Sequence, residues 1–354
     1  MCKRIVASSF KADIKKGSSM SNILSYFKGS AIFALVSIIV AATFLGGVQA
    51  ALIVAILGVL EISLSFDNAV VNAKQLETMD AVWKKRFITW GMVIAVFGMR
   101  LVFPLAIVSI VAGVNPLAAL HLAVYEPKHY EEILTSAHIA IAGFGGAFLM
   151  MVGLSYFFDK DKEVHWIAVL EKHLSHLEAS EIAVTLTTVF AIAHFLPAAE
   201  AYSFLSAGMM GVALFVMVEW LGEKLEAEDA AVSVAKAGLG AFIYLEVLDA
   251  SFSFDGVIGA FALSNNIFVI ALGLGIGAMF VRSLTLMLVD KGTLSEFKYL
   301  EHGAFYAICT LAALMFVGTM HEIPDVVTGL IGAAFIGLAL VSSIIANRND
   351  KEAN

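Results

Sequence analysis

Long stretches without a single charged residue limit this chain more than any other feature of its sequence. Residues Ser30 to Leu60 contain no Asp, Glu, Lys or Arg, and several later stretches are similarly apolar. About 20 consecutive apolar residues are enough for a helix to cross the hydrocarbon core of a bilayer. Across the whole sequence 60% of residues are hydrophobic and 15% are charged, whereas soluble domains carry about 25% charged residues. The sequence therefore predicts an integral membrane protein made of α-helices.

The apolar stretches divide into a series of segments of helical length. The short segments of alternating polarity that build an outer-membrane β-barrel do not occur in the sequence, so the predicted fold class is an all-α, polytopic bundle of transmembrane helices. Segment 182–196 is short and carries several polar residues, and the predicted number of spans is therefore about ten, within a range of eight to ten. The ten predicted segments are 29–46, 50–73, 87–111, 138–158, 182–196, 203–221, 237–263, 267–289, 303–320 and 325–346.

The positions of lysine and arginine predict the direction in which each segment crosses the membrane. Cytoplasmic loops of membrane proteins carry an excess of these residues. Every second connection of this chain is basic, whereas connection 112–137 on the opposite side has only Lys128, beside three glutamates. We therefore expect a cytoplasmic tail at 1–27 rather than a cleaved signal peptide, a transmembrane domain at 28–346 and a cytoplasmic tail at 347–354. The basic residues of the predicted cytoplasmic connections and C-terminal tail are Lys74, Lys84, Lys85, Arg86, Lys160, Lys162, Lys172, Lys224, Lys236, Lys291, Lys298, Arg348 and Lys351.

Two acidic phrases repeat in the two halves of the chain. Residues 61–68 read EISLSFDN and residues 249–256 read DASFSFDG, so an initial acid, two serines and a Phe-Asp pair recur in register. The glycine-to-arginine interval 91–100 also recurs, as 273–282. The repeated features lie five segments apart, and because five is an odd number, corresponding segments cross the membrane in opposite directions.

The two halves, at about 28–197 and 198–346, are therefore predicted to form an inverted 5+5 repeat. Inverted repeats with polar interruptions in corresponding helices are typical of transporters whose binding site lies at the interface of the repeats. The sequence thus predicts that the two acidic phrases meet near the middle of the membrane.

The side chains of the two phrases favour a hard cation as the ligand. Ionised groups at membrane depth cost about 2.5–3.5 kcal/mol each on insertion scales and rarely face lipid. Carboxylate, amide and hydroxyl oxygens suit Mn²⁺, Mg²⁺ and Ca²⁺ alike, whereas Zn²⁺ and Cu⁺ prefer nitrogen and sulfur. The candidate metal ligands are Glu61, Asp67, Asn68, Glu246, Asp249 and Asp255, with Ser65, Ser253, Arg100 and Arg282 in supporting positions.

The number of these acids exceeds the charge of one divalent ion. Some of them must therefore be protonated or paired with Arg100 and Arg282, which would balance the charge between binding events. Moving a divalent cation outward against a potential of 100 mV costs about 4.6 kcal/mol. Proton exchange is one coupling that would supply this energy.

An ideal helix would not point the two acids of a phrase in the same direction. Asp67 follows Glu61 by six residues and so lies about 120° away around the helix, and Asp255 has the same relation to Asp249. A helix that is unwound near the Ser-Phe-Asp sequence would bring carboxylates and freed carbonyl groups together. Irregular backbone is tolerated at that depth where protein or water covers it. We therefore favour an unwound turn in each phrase.

Two further features have more ordinary interpretations. The charged segment 159–181 is interpreted as an amphipathic cytoplasmic helix that lies on the membrane or on a partner. His138 and His302 are interpreted as residues that begin spans, and Glu200 as an interfacial residue on the outer side.

The acidic phrases and the arginines that follow them resemble the signatures of the TerC family of bacterial membrane proteins. The first phrase has the pattern Glu-x5-Asp-Asn and the second the pattern Glu-x2-Asp-x5-Asp. Similar sequences continue in the last third of the chain, so that the resemblance covers most of residues 50–346. These are FKYLEHG at 297–303, HEIPD at 321–325 and SSI at 342–344.

The chain departs from the family pattern at Gly256, where serine is usual, and in the longer segment 159–181, which indicates a divergent branch. The resemblance implies a transporter related to the LysE-like proteins, in the inner (plasma) membrane of a bacterium, with both termini in the cytoplasm. Members of the TerC family are named for tellurium resistance and are associated with Mn²⁺ efflux. The resemblance thus implies Mn²⁺ as the cargo and the two phrases as its site.

The expected function is export of a hard divalent cation, with Mn²⁺ first among the three. Two alternatives stay open: a LysE-like exporter of an amino acid or other small zwitterion, and a non-transporting membrane scaffold in envelope or metal stress. The sequence lacks H-E-x-x-H, G-x-S-x-G and glycine-rich nucleotide loops, so we expect neither an enzyme nor a cofactor. The expected partners are the divalent ion and the lipid bilayer, with a homo-oligomer or a membrane partner left open. The net charge of −8 argues against nucleic acid.

Overall fold

The computed structural model describes residues 24–160, 162–176, 180–226, 230–261, 263–321 and 323–353; it does not describe the side chains at 175–176, 222–226, 230–237, 254–255, 325–326 and 350–353. Within the described ranges the chain is helical and contains no β-strand. The helices are α1 Leu24–Leu45, α2 Gly47–Leu64, α3 Phe66–Thr78, α4 (the continuous run 81–111), α5 Pro116–Tyr125, α6 Pro127–Ser136, α7 His138–Phe158, α8 Ala168–His176, α9 Glu181–Phe195, α10 Ala198–Glu226, α11 Ala230–Phe261, α12 Ile267–Lys291, α13 Thr293–Glu296, α14 Leu300–Gly318 and α15 Asp325–Ala353.

Each of the ten predicted apolar segments coincides with helix, and the all-α polytopic fold class is confirmed. Among the described residues, eight helices are long and apolar enough to cross a membrane. The two other predicted segments correspond to α9, a shorter apolar helix of 15 residues, and to α11, which carries the second acidic phrase over a length of 32 residues. The count of eight lies at the lower end of the expected range.

Local side-chain caps set several helix boundaries outside the apolar runs. Asp80 accepts a hydrogen bond from the Trp83 amide at the start of α4. Asn266 accepts one from the Phe268 amide at the start of α12, and Gly292 ends that helix with a φ of 61°. Asn and Asp are favoured at helix N-caps because their oxygens satisfy free amide groups, and glycine at the C-terminal end because it tolerates positive φ. These residues explain why the connections are short.

The central helices pack as an inverted repeat requires. Helix α2 packs against α12, and α4 packs against α11. In the predicted repeat α2 corresponds to α11 and α4 corresponds to α12, so each of these contacts is the counterpart of the other. Helices α7 and α14, which are counterparts, pack against each other. The first helices of the two halves differ, because α10 packs along α7 whereas α1 packs on α12, where Ser30 Oγ lies 2.7 Å from Ser283 Oγ. The four central helices α2, α4, α11 and α12 therefore make equivalent contacts in the two halves.

The structure adds helices where the sequence analysis placed only a connection. Connection 112–137 folds into α5 and α6, each with a proline at its start, and Asn115 caps α5 by accepting from the Ala118 amide. Tyr130 on α6 is buried against Phe261 of α11. At the other end of the chain, α15 continues through the predicted tail to Ala353. The connection is therefore a packed part of the bundle.

The charged segment 162–176 binds to its own chain rather than lying only on the membrane or on a partner. Glu171 of α8 is completely buried. Its Oε1 accepts hydrogen bonds from the Ile167 amide at 3.0 Å and the Tyr306 hydroxyl at 3.2 Å. Its Oε2 lies 3.1 Å from Lys162 Nζ and 3.4 Å from His302 Nε2. His302, interpreted above as a residue that begins a span, thus also holds this segment against α14.

Burial alone would raise the pKa of Glu171, but the hydrogen bonds from His302 and the Ile167 amide, together with Lys162, outweigh it and hold the pKa well below its usual range. A carboxylate with a depressed pKa stabilises the folded state at pH values above its ordinary pKa, and this contribution is lost as the pH falls below it. The docked segment should therefore be stable at neutral pH and weaken in acid.

Glu171→Gln is expected to release segment 162–176 from the bundle. The substitution leaves the partners of a buried carboxylate without their counter-charge, and breaking a buried ion pair costs about 3–5 kcal/mol. Limited trypsin digestion should then cleave faster at the exposed Lys172, and the midpoint of thermal unfolding in detergent should fall. The matched control is Glu163→Gln, which changes an exposed acid of the same segment. Equal cleavage rates for the two variants would contradict the assigned role of Glu171.

Candidate functional site

The first acidic phrase lies at a one-residue interruption between two helices. Ser65 has φ −106° and ψ 20°, and it separates α2, which ends with Leu64, from α3, which begins with Phe66. The Ser65 amide still bonds to the Glu61 carbonyl at 3.0 Å. The expected interruption near Ser-Phe-Asp is thus present in this phrase, limited to a single residue.

The second phrase is different, because α11 runs without interruption through residues 249–256. The expectation of an unwound turn was wrong for this phrase. An unbroken helix satisfies its own backbone groups, so no cover by water or protein is required there. The side chain of Asp255 lies outside the part of the structure that is described.

Arg100 joins the two acidic phrases. Its Nη2 donates to Glu61 Oε1 at 2.7 Å, and its Nη1 donates to Asp249 Oδ2 at 3.1 Å. Nη1 also donates to the Ala95 carbonyl at 2.6 Å. All three charged side chains are buried, with only 2% of Arg100 exposed. One guanidinium group therefore holds a carboxylate from each half of the chain.

A second contact joins the phrases directly. Asn68 Nδ2 donates to the other oxygen of Asp249, Oδ1, at 3.0 Å. Both oxygens of Asp249 thus have partners from the first half, whose helix α3 also packs against α11. The phrases meet inside the protein, as the inverted arrangement predicted.

The second arginine forms a looser pair. Arg282 Nη1 donates to the Phe87 carbonyl at 2.7 Å, and the guanidinium lies 3.9 Å from the centre of the Phe87 ring. Its Nη2 is 3.8 Å from Glu246 Oε1, beyond hydrogen-bond distance. Glu246 is buried and neither of its oxygens has a hydrogen-bond partner among the described residues. Backbone and ring contacts hold Arg282, whereas carboxylates hold Arg100.

Glycines allow the helices to approach the acids closely. A Cβ atom added at Gly277 of α12 would overlap Cβ and Cγ of Glu61, and one added at Gly256 would lie 2.9 Å from Glu61 Oε2. A Cβ atom at Gly91 would lie 2.6 Å from Glu246 Oε1. Glu61 and Glu246 are therefore packed closely against glycine positions of neighbouring helices, which limits their movement.

π-Helical turns in α4 coincide with the arginine contacts. The stretch Ile94–Val102 contains both Arg100 and its acceptor Ala95, and the stretch Phe87–Gly91 contains the carbonyl that Arg282 binds. π-Helical turns are frequent at functional sites because they change the direction of side chains and carbonyl groups. They also supply carbonyl acceptors at membrane depth.

A cavity of about 1180 Å³ reaches these residues from one end of the bundle. Glu61, Ser65 and Asp67 lie in its wall, and residues from the end of α6, the starts of α7, α10 and α15, the second half of α11 and α14 line the rest. The other polar residues of its lining are Thr135, Ser136, His138, Glu200, Ser203, Thr310, Thr319 and Thr328. The cavity thus connects the first phrase with the end of the bundle that the basic residues predict to be non-cytoplasmic.

Asp67 differs from the other buried acids of the site. It is 4% exposed, and the hydrogen bond to its side chain comes from the Asn68 amide, at 2.9 Å from Oδ1. No arginine or lysine forms an ion pair with it in the described part of the chain. Its Oδ2 faces Gly332 of α15, whose added Cβ would lie 3.6 Å away. Asp67 therefore presents to the wall of the cavity a carboxyl group that has no cationic partner among the described residues.

The ten predicted site residues divide by their contacts. Arg100 brings Glu61 and Asp249 together, Asn68 joins Asp249, and Arg282 lies beside Glu246. Ser65 lies at the helix interruption, and Ser253 is buried with no hydrogen-bond partner for its Oγ among the described residues. Within those residues no three His, Cys, Asp or Glu side chains are grouped closely enough to hold a metal ion. The arrangement has two acids paired with arginine and Asp67 facing the cavity.

Sequence reasoning missed several residues of the site. His138, interpreted as the first residue of a span, and Glu200, interpreted as interfacial, both line the cavity. Gly277 belongs to the run GLGIG at 273–277, and Gly332 follows an isoleucine in an otherwise apolar helix. The density of glycine in the first of these runs was an available signal of close packing. Nothing in the sequence indicated that His138 and Glu200 line the same cavity, because they are far apart along the chain.

Comparison with protein families gives a match to the family described as "Protein of unknown function (DUF475)" over residues 66–350. Among curated proteins, the chain is similar to the uncharacterized membrane protein YceF of Bacillus subtilis (strain 168). The two are 30% identical over 132 residues, which cover 34% of this chain and 49% of that protein. The chain therefore spans about half the length of this relative. No solved structure matches the chain.

Proposed function

We propose that this chain, which belongs to the DUF475 family of membrane proteins, exports a hard divalent cation and that Mn²⁺ is its cargo. The observation that carries the proposal is the position of Asp67. This acid lies buried in the wall of a cavity, without a cationic partner in the described part of the chain. Glu61, which Arg100 links to Asp249 of the other half, lies in the same wall. A buried charge without a partner is costly, and a site that transfers cations is one reason for a chain to keep it.

The donor atoms of the site support the choice of cargo. Asp67, Glu61 and Ser65 present oxygen atoms to the cavity, and no cysteine is among the described residues that line it. Oxygen donors suit Mn²⁺, Mg²⁺ and Ca²⁺. The resemblance of the acidic phrases to those of the TerC family favours Mn²⁺ among these three. It also supports a place in the inner membrane of a bacterium, with both termini in the cytoplasm.

In this proposal the cavity is the outer part of the transport pathway. Its lining includes residues at 135–138, 199–203 and 318–324, at or beside connections that carry few basic residues. The positive-inside rule predicts that such connections lie outside the cytoplasm. At the opposite end, Lys74 Nζ at the end of α3 lies 2.7 Å from Glu301 Oε2, and segment 162–176 packs on α14. Export then requires a rearrangement of the halves that opens the cytoplasmic end. Proton exchange would supply the driving force against the membrane potential.

The size of the cavity is compatible with a second cargo, a small zwitterion. A volume of about 1180 Å³ would also admit an amino acid or other small zwitterion. The carboxylate of such a substrate needs a free cationic partner, whereas Arg100 is already bonded to two carboxylates. We therefore place this alternative second.

A liposome flux assay tests the proposal. The purified full-length chain, reconstituted with a metal-sensitive dye inside the vesicles, is expected to pass Mn²⁺ well above the protein-free background and to discriminate against Zn²⁺. A pH gradient that drives protons in the direction opposite to Mn²⁺ should accelerate the flux. Vesicles with the Asp67→Asn variant provide the matched control. Flux of amino acids instead of metal would favour the zwitterion exporter, and flux of neither would favour the membrane scaffold.

A further inference from the structure

We propose that Arg100 is a built-in competitor of the cargo: its guanidinium group and the divalent cation bind Glu61 and Asp249 in turn, and this competition excludes monovalent cations. The inference rests on the proposed function and assigns the specificity of the same site to one residue. Arg100 acts through the two carboxylates and is therefore a positioning residue that sets which ions gain access to them.

The contacts of Arg100 are those of a counter-ion. Its two terminal nitrogens lie 2.7 Å from Glu61 Oε1 and 3.1 Å from Asp249 Oδ2, one acid from each half of the chain. All three side chains are buried, and the guanidinium is the cationic partner that both acids have among the described residues. A cation that binds both acids must therefore displace Arg100 from at least one of them.

The surroundings of Arg100 allow this displacement. Its Nη1 also bonds to the Ala95 carbonyl, one π-helical turn away, which would remain as a partner after the carboxylates are released. Its Nε has no hydrogen-bond partner among the described residues, so one side of the guanidinium is not anchored. Glu61 lies in the cavity wall, and a cation in the cavity therefore reaches this acid directly.

Charge decides which ions can compete. The guanidinium carries one positive charge and is tethered beside its acids, so its effective concentration there is far higher than that of a dissolved ion. A monovalent cation offers the two carboxylates no more Coulomb energy than Arg100 does, whereas a divalent cation offers about twice as much at the same distance. The divalent ion therefore gains more attraction from the two carboxylates than the arginine that it displaces. Na⁺ and K⁺ are thereby excluded.

Arg282 provides the internal comparison. It occupies the corresponding place in the second repeat, but its short contacts are to the Phe87 carbonyl and the Phe87 ring. Its nearest carboxylate oxygen, on Glu246, is 3.8 Å away. The competing role therefore belongs to Arg100 and not to Arg282, although the two arginines are equivalent in the sequence repeat.

The test measures Mn²⁺ binding to the full-length protein in detergent by calorimetry, and Mn²⁺ flux in liposomes. Arg100→Gln is expected to bind Mn²⁺ at least about tenfold more tightly, because close charge pairs commonly contribute that much or more, and to release it more slowly, so that flux falls. Na⁺ or K⁺ should compete with Mn²⁺ in this variant and not in the unmodified protein. Lys128→Gln, which removes an exposed cation of α6 outside the site, should leave the selectivity against monovalent ions unchanged.

Arg100→Lys keeps the positive charge, and it provides the test if Arg100→Gln does not fold. A lysine cannot bridge the two acids as a planar guanidinium does, so this variant should bind Mn²⁺ more tightly than the unmodified protein by a smaller factor. If the unmodified protein binds no divalent cation, the proposed function itself fails. If it binds and transports Mn²⁺ while the Arg100 variants bind it equally or more weakly, the inference about Arg100 is overturned and the proposed function stands.

Discussion

Asp67→Asn is expected to abolish export of the divalent cation while leaving the protein folded in the membrane. The substitution keeps the shape of the side chain, and asparagine Oδ1 can still accept the hydrogen bond that the Asn68 amide donates to Asp67 at 2.9 Å. It removes the negative charge that faces the cavity without a cationic partner in the described part of the chain. Stability should therefore change little, whereas cargo affinity should fall about 30-fold or more.

Two measurements separate these effects. Growth of a host strain in excess Mn²⁺ reports export, and the amount and thermal unfolding midpoint of the purified protein report folding. Glu132→Gln is the matched control, because its side chain is 76% exposed on α6, away from the site. Mn²⁺ tolerance of Asp67→Asn equal to that of the unmodified protein would remove the site assignment. The acidic repeat predicts the same loss for Asp255→Asn.

Gly277→Ala is expected to damage both stability and transport through a single methyl group. Its Cβ would overlap Cβ and Cγ of Glu61. The first of these atoms is attached to the backbone of α2, so a side-chain rotation cannot relieve the overlap and the two helices must separate. Overpacking of this kind costs about 1–3 kcal/mol. The movement of Glu61 should also weaken its bond to Arg100.

The control for this prediction makes the same chemical change in open space. A Cβ atom added at Gly337 of α15 meets nothing within 4 Å. Alanine is favoured over glycine in a helix by about 1 kcal/mol, so Gly337→Ala should be neutral or stabilising. The thermal unfolding midpoint should therefore fall for Gly277→Ala and stay equal or rise for Gly337→Ala. A midpoint for Gly277→Ala at or above that of the unmodified protein would contradict the close packing of α2 and α12 at this position.

The sequence was sufficient to predict the helices and the meeting of the acidic phrases. Long apolar stretches without charged residues are unfavourable in water. Within a bilayer such stretches satisfy their backbone hydrogen-bonding groups by forming helices. Equivalent phrases that lie five spans apart, an odd number, cross the membrane in opposite directions, which is why Asn68 and Asp249 could be expected to lie near each other. These inferences depend on patterns that are local or periodic, and such patterns are visible in one dimension.

Other features depend on distances that a sequence does not contain. Both arginines follow an acidic phrase at similar intervals, yet Arg100 binds two carboxylates and Arg282 binds mainly the Phe87 carbonyl and ring. Likewise, Glu171 looked like one of many charges on a surface helix, but its four side-chain partners come from two separate parts of the chain, 162–165 and 302–306. In both cases, packing between elements far apart in sequence decides which of several equivalent partners is used.

The interruption at Ser65 divides one membrane crossing into two rigid pieces. A change in the torsion angles of that residue alone would swing Asp67 and Asn68 on α3 while Glu61 on α2 stays in place, pressed against α12. A hinge of one residue could then raise or lower the affinity of the site for an ion, without any whole helix sliding through the lipid.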